Sequence, residues 1–299
     1  MSKIIVIVGP TNVGKTKLSI ELAKKFNCDI INADSMQFYK GLDIGTAKIK
    51  EVEKEGIKHH LLDILNVEDD YSIYHYQKDG RKIIDDLLAQ NKNIIIVGGT
   101  GLYIKALLYD YKLNKSIIND TYDNISTDNL YQELLKLDKD IKIDKNNRRR
   151  IIRAINYYKE NNKSINTNVT DKLLYDAIFI GLNTNRELLY NKINNRVDDM
   201  IKEGLIDEVK SFYDKKIYSK PLISGIGYKE LYEYFDGKVS LEEAILNIKQ
   251  NSRRYAKRQL TFFRNKLDVK WFDTNYDDFN KTLLEVYNYI SGVDGDETI

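Results

Sequence analysis

The chain has one cysteine, two prolines and a single tryptophan in 299 residues. With only Cys28, no internal disulfide can form and no cysteine-based zinc module can be built, which fits a reducing compartment. No uninterrupted apolar run approaches the roughly twenty residues that a membrane span needs, so no membrane role is expected. The first residues run straight into an apolar strand pattern without the charged and apolar regions of a signal peptide, so a cytoplasmic protein is expected. Charge of one sign is also lacking. Lys and Arg number 47 against 45 Asp and Glu, a net charge of +2, so any basic surface must be local. A hydrophobic content of 42% is enough to bury a full core in one large domain or two smaller ones.

Against these absences, residues 9–16 read Gly9-Pro10-Thr11-Asn12-Val13-Gly14-Lys15-Thr16, a complete G-x-x-x-x-G-K-[ST] loop. The run Ile4-Ile5-Val6-Ile7-Val8 before it reads as a buried strand, and Leu18, Leu22 and Phe26 after it recur at helical spacing. In that setting the two glycines let backbone N–H groups curl around an anionic oxygen. Lys15 adds a point charge, and Thr16 adds a hydroxyl for a metal ion or phosphate. The alternative is a glycine turn between two core elements. The loop specifies an anion, such as an ATP-like nucleotide or a pyrophosphate, without specifying which.

Further along, strand and helix patterns alternate. Asp29–Asn32, His60–Ile64, Asn93–Val97, Tyr175–Leu182 and Val269–Phe272 read as strands, and Tyr74–Gln90 and Leu102–Tyr109 as helices. Thr184-x-x-Glu187 and Ser240-x-x-Glu243 have capping-box spacing at two helix starts, and Asp294–Ile299 reads as a frayed acidic tail. Residues 113–172 break the alternation. They hold no convincing strand and read as helices over Asn129–Leu137 and Asn146–Asn161. A mostly parallel α/β P-loop core flanked by helices is therefore expected over residues 1–112 and 173–299, with a helical insertion over 113–172.

Ligands of such a sheet bind at the carboxyl ends of its strands. Asp34 follows the second strand and is either a helix cap with Ser35, or a carboxylate beside a bound phosphate, as metal ligand or general base. The strand ending at Val97 runs into Gly98-Gly99-Thr100-Gly101, where a P-loop hydrolase commonly carries a metal-holding aspartate. Two basic runs stand out. Arg148, Arg149, Arg150 and Arg153 lie in the insertion, and Arg253, Arg254, Lys257, Arg258 and Arg264 are interleaved with Tyr255, Phe262 and Phe263. Each is either a solvated helix face or a nucleic-acid contact, and two such runs in a near-neutral chain favour the second.

These blocks, in this order, resemble the bacterial tRNA dimethylallyltransferase family. The resemblance runs through residues 9–16, Asn32–Lys48, His59–Ile64, Val97–Tyr103, Arg149–Ala154, Ile226–Glu230 and Ala256–Arg264. It implies that the loop Gly9–Thr16 holds the pyrophosphate of dimethylallyl diphosphate. Lys15, Thr16, Thr100 and Arg196 would neutralise the leaving group together with Mg2+, which Thr16 would help to ligate. Asp34 would be the general base for the exocyclic amine of the adenosine 3′ of the anticodon. Contacts to the tRNA anticodon stem-loop are implied for Asp34, Ser35, Met36, Gln37 and Thr100, and for Arg149, Arg150, Ile151, Ile152 and Arg153. The same holds for Ser224, Gly225, Ile226, Gly227, Tyr228 and Lys229, and for Lys257, Arg258, Gln259, Leu260, Thr261, Phe262, Phe263 and Arg264. A monomer is expected. Two departures appear: no proline approaches the insertion after Leu113, and Ser224 stands where relatives often carry arginine. A P-loop kinase of a nucleoside or small molecule, and a prenyltransferase acting on free adenine nucleotides, remain as alternatives.

Overall fold

The computed structural model describes residues 2–111, 113, 122–165 and 169–292. In chain order the strands are β1 (Ile4–Val8), β2 (Cys28–Asn32), β3 (His59–His60), β4 (Asn93–Val97), β5 (Tyr109–Tyr111), β6 (Val169–Leu173), β7 (Ala177–Asn183) and β8 (Lys270–Asp273). The helices are α1 (Lys15–Phe26), α2 (Ile73–Ala89), α3 (Gly101–Leu108), α4 (Thr127–Leu137), α5 (Arg148–Asn161) and α6 (Arg186–Glu203). They continue with α7 (Leu205–Tyr213), α8 (Lys220–Ser224), α9 (Tyr228–Phe235), α10 (Leu241–Lys266) and α11 (Phe279–Ser291). The chain divides into two compact units, residues 1–107 with 175–299, and residues 108–174. The acidic tail Asp294–Ile299 lies outside the described residues.

The larger unit is built on a six-stranded parallel sheet in the order β3-β2-β4-β1-β7-β8. Every residue of β1 and β2 is buried, as expected for parallel strands covered on both faces. Ile5 and Ile7 pack with Ile95, Ile180 and Leu182 of neighbouring strands, Leu18 and Leu22 of α1, and Val286 and Ile290 of α11. Each such side chain contributes about 1.5–3 kcal/mol on burial. Sequence alternation sends Ile4, Val6 and Val8 to the opposite face, where they are equally buried. Tyr76 of α2, fully buried, donates its hydroxyl to the Asn32 carbonyl at 3.1 Å. The register sets β1, β2 and β4 side by side, with Asn32 of β2 opposite Val97 of β4 and Ile7 of β1 opposite the same Val97. Their three carboxyl ends therefore open at one place.

Two sequence readings are corrected here, and the cap expected at Ser240 is found. The strand expected over His60–Ile64 covers only His59 and His60. Leu61 and Asp63 adopt left-handed φ values of 57° and 54°, which end the ladder. The cap of α6 is Asn185 rather than Thr184, its side chain accepting from the Leu188 N–H at 2.8 Å. Ser240 caps α10 by accepting from the Glu243 N–H at 3.2 Å.

The smaller unit is not wholly helical. Tyr109–Tyr111 and Val169–Leu173 form a two-stranded antiparallel ribbon, so a strand lies inside the stretch read as strandless. Its pattern, Val-Thr-Asp-Lys-Leu, is too polar to signal a buried strand. Helices α4 and α5 pair through Leu130, Leu134, Ile151, Ala154 and Ile155, all buried in one cluster.

Candidate active site

The loop between β1 and α1 carries the first half of the site. Gly9 and Gly14 have φ of 147° and 96°, values that L side chains rarely adopt. Gly14 directly precedes α1, whose first turn contains no acidic residue. The unpaired N–H groups and the positive end of the helix dipole are therefore left for an anion. Lys15 folds back over the loop, its Nζ donating to the Pro10 carbonyl at 2.6 Å. Burial pushes its pKa down to about 8, while the charge of Asp34 pulls it upward. A lysine in that state gains charge readily when an anion arrives. A cavity of 310 Å³ lies over the loop, bordered by Thr11–Thr16, Asp34, Gly98, Gly99, Arg196, Tyr255 and Gln259.

Asp34 stands at the end of β2. Its N–H donates to Asn32 Oδ1 at 2.9 Å, and its Oδ1 accepts from the Met36 N–H at 3.0 Å. It therefore caps a turn and not the helix expected from sequence, the Gln37 N–H also acting on its carboxylate. Burial raises the Asp34 pKa, opposed by the Met36 N–H and by Lys15. A carboxylate poised above its ordinary range and facing a cavity has the character of a proton acceptor. Thr100, at the end of β4, accepts from the Ser35 N–H at 3.3 Å, and its own N–H donates to the Ala33 carbonyl at 3.2 Å. These bonds lock the two strand ends together.

Helix α10 supplies residues that sequence reasoning undervalued. Gln259 is buried, accepts from the Thr11 N–H at 2.9 Å and donates to the Gly99 carbonyl at 3.0 Å. It ties the phosphate loop to the turn after β4. A Cβ on Gly99 would lie 2.1 Å from its Nε2, so only glycine admits this bridge. Tyr255, one turn earlier, hydrogen-bonds through its hydroxyl with Thr100 and Gln259. Burial, with the Asp34 charge adding, pushes its pKa up to about 12. The two residues stand four apart on a helix face in a run that reads in sequence as a basic, RNA-facing surface.

A second cavity, of 360 Å³, adjoins the first. Met36, Ile193, Val197, Met200, Ile226 and Ile248 give it apolar walls, and Thr11, Asn12, Asp34, Thr46, Ala47, Arg196 and Tyr255 border both cavities. Arg196 is held by Glu203 at 3.3 Å. Glu208 of α7, which no sequence pattern singled out, accepts from the N–H groups of Asp43, Ile44 and Gly45 at 3.0, 2.7 and 3.1 Å and from the Tyr228 hydroxyl at 2.6 Å. It fixes the 43–47 loop that forms one wall.

The residues expected to contact RNA separate by burial. Arg149, Arg150 and Arg153 are exposed on α5 and form no ion pair among the described residues, whereas neighbouring Arg148 donates to the Ile125 and Tyr122 carbonyls. Ile151 is fully buried and serves the core of the smaller unit; Ile152 is half-buried against it. In the larger unit Lys257, Arg258, Thr261 and Arg264 are exposed. Phe263 is fully buried, Phe262 lies against Gly101, and Leu260 packs with Leu189 and Ile193. Tyr228 is also fully buried, so it supports the wall as packing, and Gly225 and Gly227 are buried beside it. Ser224 is exposed, its hydroxyl donating to the Lys220 carbonyl at 2.7 Å.

The model of the IPP transferase family matches residues 37–266. The chain belongs to the IPP transferase family. It is 49% identical over 300 residues to the tRNA dimethylallyltransferase of Anoxybacillus flavithermus, covering 97% of this chain and 96% of that protein. The corresponding Bacillus subtilis protein is 46% identical over 303 residues, at 97% and 96% coverage. Among solved structures, the full-length tRNA isopentenylpyrophosphate transferase of Bacillus halodurans is 42% identical with a TM-score of 0.78, covering 98% of this chain and 97% of that one. A eukaryotic dimethylallyltransferase acting on tRNA superposes with a TM-score of 0.85 at 29% identity, covering 99% of this chain and 81% of that one. The family match at residues 37–266 takes in the smaller unit and most of α10, and the relatives extend the likeness over 97% of the chain.

Proposed function

We propose that this chain transfers the dimethylallyl group of dimethylallyl diphosphate to the exocyclic amine of the adenosine immediately 3′ of the anticodon in tRNA. The observation that carries the reading is the meeting of two cavities at Asp34, Arg196 and Tyr255. One is an anion cradle, and the other is apolar-walled and opens onto a carboxylate. In this reading the diphosphate lies against the Gly9–Thr16 loop and the N-terminus of α1, with Lys15, Thr16, Thr100 and Arg196 balancing its charge. As the bond between the allylic carbon and the diphosphate oxygen breaks, the electron pair leaves with the diphosphate. Fixed cations act most strongly at that moment; one such contact is worth about 10²–10³ in rate. The amine lone pair forms the new carbon–nitrogen bond, and Asp34 takes the amine proton. The base reaches the cavity by leaving the stacked anticodon loop.

Among the described residues no three His, Cys, Asp or Glu side chains converge as a metal cage. The donor at the loop is the Thr16 hydroxyl, a hard oxygen that suits Mg2+ when diphosphate and water supply the remaining ligands. Held by Thr16, Mg2+ would add charge neutralisation at the leaving oxygens. Exposed Arg149, Arg150 and Arg153 and the Lys257–Arg264 face would bind RNA phosphates. The same reading has the chain working in the cytoplasm as a monomer; no helix among the described residues is long and apolar enough to cross a membrane.

A P-loop kinase is the rival, and Gly98-Gly99-Thr100-Gly101 at the end of β4 disfavours it by carrying no acidic metal holder. Incubation with labelled dimethylallyl diphosphate and either bulk tRNA or AMP tests the proposal. Label in tRNA alone supports it, label in AMP moves the acceptor to free nucleotides, and label in neither returns the kinase or a protein that only binds tRNA.

A further inference from the structure

Charges of both signs surround the junction of the two cavities. Lys15 and the N-terminus of α1 stand at the first cavity, and Arg196 borders both. The Asp34 carboxylate and the ring of Tyr255 also border both, close enough that the Asp34 charge acts on the Tyr255 hydroxyl. Diphosphate departure creates two opposite charges at once. The cationic groups serve the anion, and the allylic carbon is left to the carboxylate and the ring.

Tyr255 borders both cavities, so its ring lies where one opens into the other. Its hydroxyl is engaged by Thr100 and Gln259. Gln259 is in turn fixed by the Thr11 N–H and the Gly99 carbonyl. The phenol oxygen is thus tethered, and what Tyr255 offers the cavity is a ring held in one place. A ring face attracts cations, and this one already does: the Arg258 guanidinium lies 5.6 Å from its centroid. Of the two cavities, Arg258 borders the 360 Å³ one and not the one over the phosphate loop.

Resting on the transfer reading above, we propose that Tyr255 is a catalytic residue whose ring face stabilises the positive charge on the dimethylallyl carbon as its bond to diphosphate breaks. The electron pair goes with diphosphate, the allyl group carries the charge across the junction, and the adenine amine closes the new bond with its proton passing to Asp34. No further reactant is needed. Desolvated cation–ring attraction accounts for about thirtyfold in the transfer step. It is absent from the ground state, where the allyl group is neutral, so it acts on kcat and leaves donor affinity alone.

Single-turnover transfer from dimethylallyl diphosphate to tRNA, with enzyme in excess, tests this in Tyr255→Leu, Tyr255→Phe and a series of fluorinated phenylalanines at position 255. The expected result is a loss of about thirtyfold for Tyr255→Leu and about fivefold for Tyr255→Phe, the latter from the lost hydroxyl tether. Each added fluorine should slow transfer further, with the Kd of donor and tRNA unchanged. Fluorination keeps the shape of the ring, so a folding defect in Tyr255→Leu does not remove the test. A flat fluorine series overturns the proposal and makes the ring a steric wall. A Tyr255→Phe loss as deep as that of Tyr255→Leu overturns it in favour of the hydroxyl. Failure of the wild-type chain to label tRNA at all would instead reject the transfer reading.

Discussion

Replacing Gln259 by leucine keeps the volume of the side chain but removes its hydrogen bonds to the Thr11 N–H and the Gly99 carbonyl. The Gly99 carbonyl that accepts from Gln259 is buried, so its loss carries the full penalty of an unpaired buried group, about 1–3 kcal/mol. The Thr11 N–H is half-buried at the edge of both cavities and can turn to water, so its loss costs less, about 0.5–1 kcal/mol. The sum is a destabilisation of about 1.5–4 kcal/mol. The urea midpoint should fall accordingly with an unchanged m-value. Because Thr11 belongs to the phosphate loop, the KM for the diphosphate donor should rise as well. Affinity for tRNA should stay within twofold, since Gln259 is 5% exposed and presents almost nothing to a partner. An unchanged unfolding midpoint together with a weakened tRNA Kd would refute the reasoning and return Gln259 to the RNA-contacting surface.

Asp34→Asn keeps the oxygen that accepts from Met36 N–H but removes the proton acceptor; turnover should drop about 10²–10⁴-fold with tRNA binding retained, and turnover within tenfold of wild type would leave Asp34 as a turn cap only. Changing Arg149, Arg150 and Arg153 together to alanine should lower tRNA affinity and flatten its salt slope by roughly 0.7 per lost phosphate contact, with the donor Kd unmoved; the reverse pattern in a titration would place these arginines at the diphosphate. Donor binding needs Lys15 charged, and its pKa in the free protein is about 8, so kcat/KM for the donor should fall as pH rises through that point. On the acid side kcat/KM should fall as Asp34, whose pKa is raised, takes up a proton. A profile level through pH of about 8 would mean that the loop amides alone hold the anion.

Much of the site is local in sequence and was therefore legible there. The phosphate loop declares itself through Gly9, Gly14, Lys15 and Thr16 between an apolar strand and a helix, and Asp34 and Thr100 follow from the rule that ligands gather at strand ends. What stayed hidden depends on distant residues. Gln259 bonds to a loop 248 residues away, and Glu208 closes a turn 163–165 residues away. Neither contact leaves a periodic trace. Tyr255 looked like one aromatic among cations because helical spacing does not say which face meets a cavity. The strand expected over His60–Ile64 failed because apolar residues can be placed by left-handed turns as well as by a ladder, here at Leu61 and Asp63. In the smaller unit, a polar ribbon paired through its backbone gave no hydrophobic alternation to read.

In the proposed reaction the phosphate-loop cavity and the cavity beside it join donor and acceptor at Asp34. It is tested most directly by digesting tRNA to nucleosides after a single turnover with labelled dimethylallyl diphosphate, while counting the diphosphate released. The account predicts one prenylated adenosine per diphosphate, located immediately 3′ of the anticodon, and almost none from the Asp34→Asn enzyme. Diphosphate released without label in tRNA, or label on an oxygen or on another base, would contradict it.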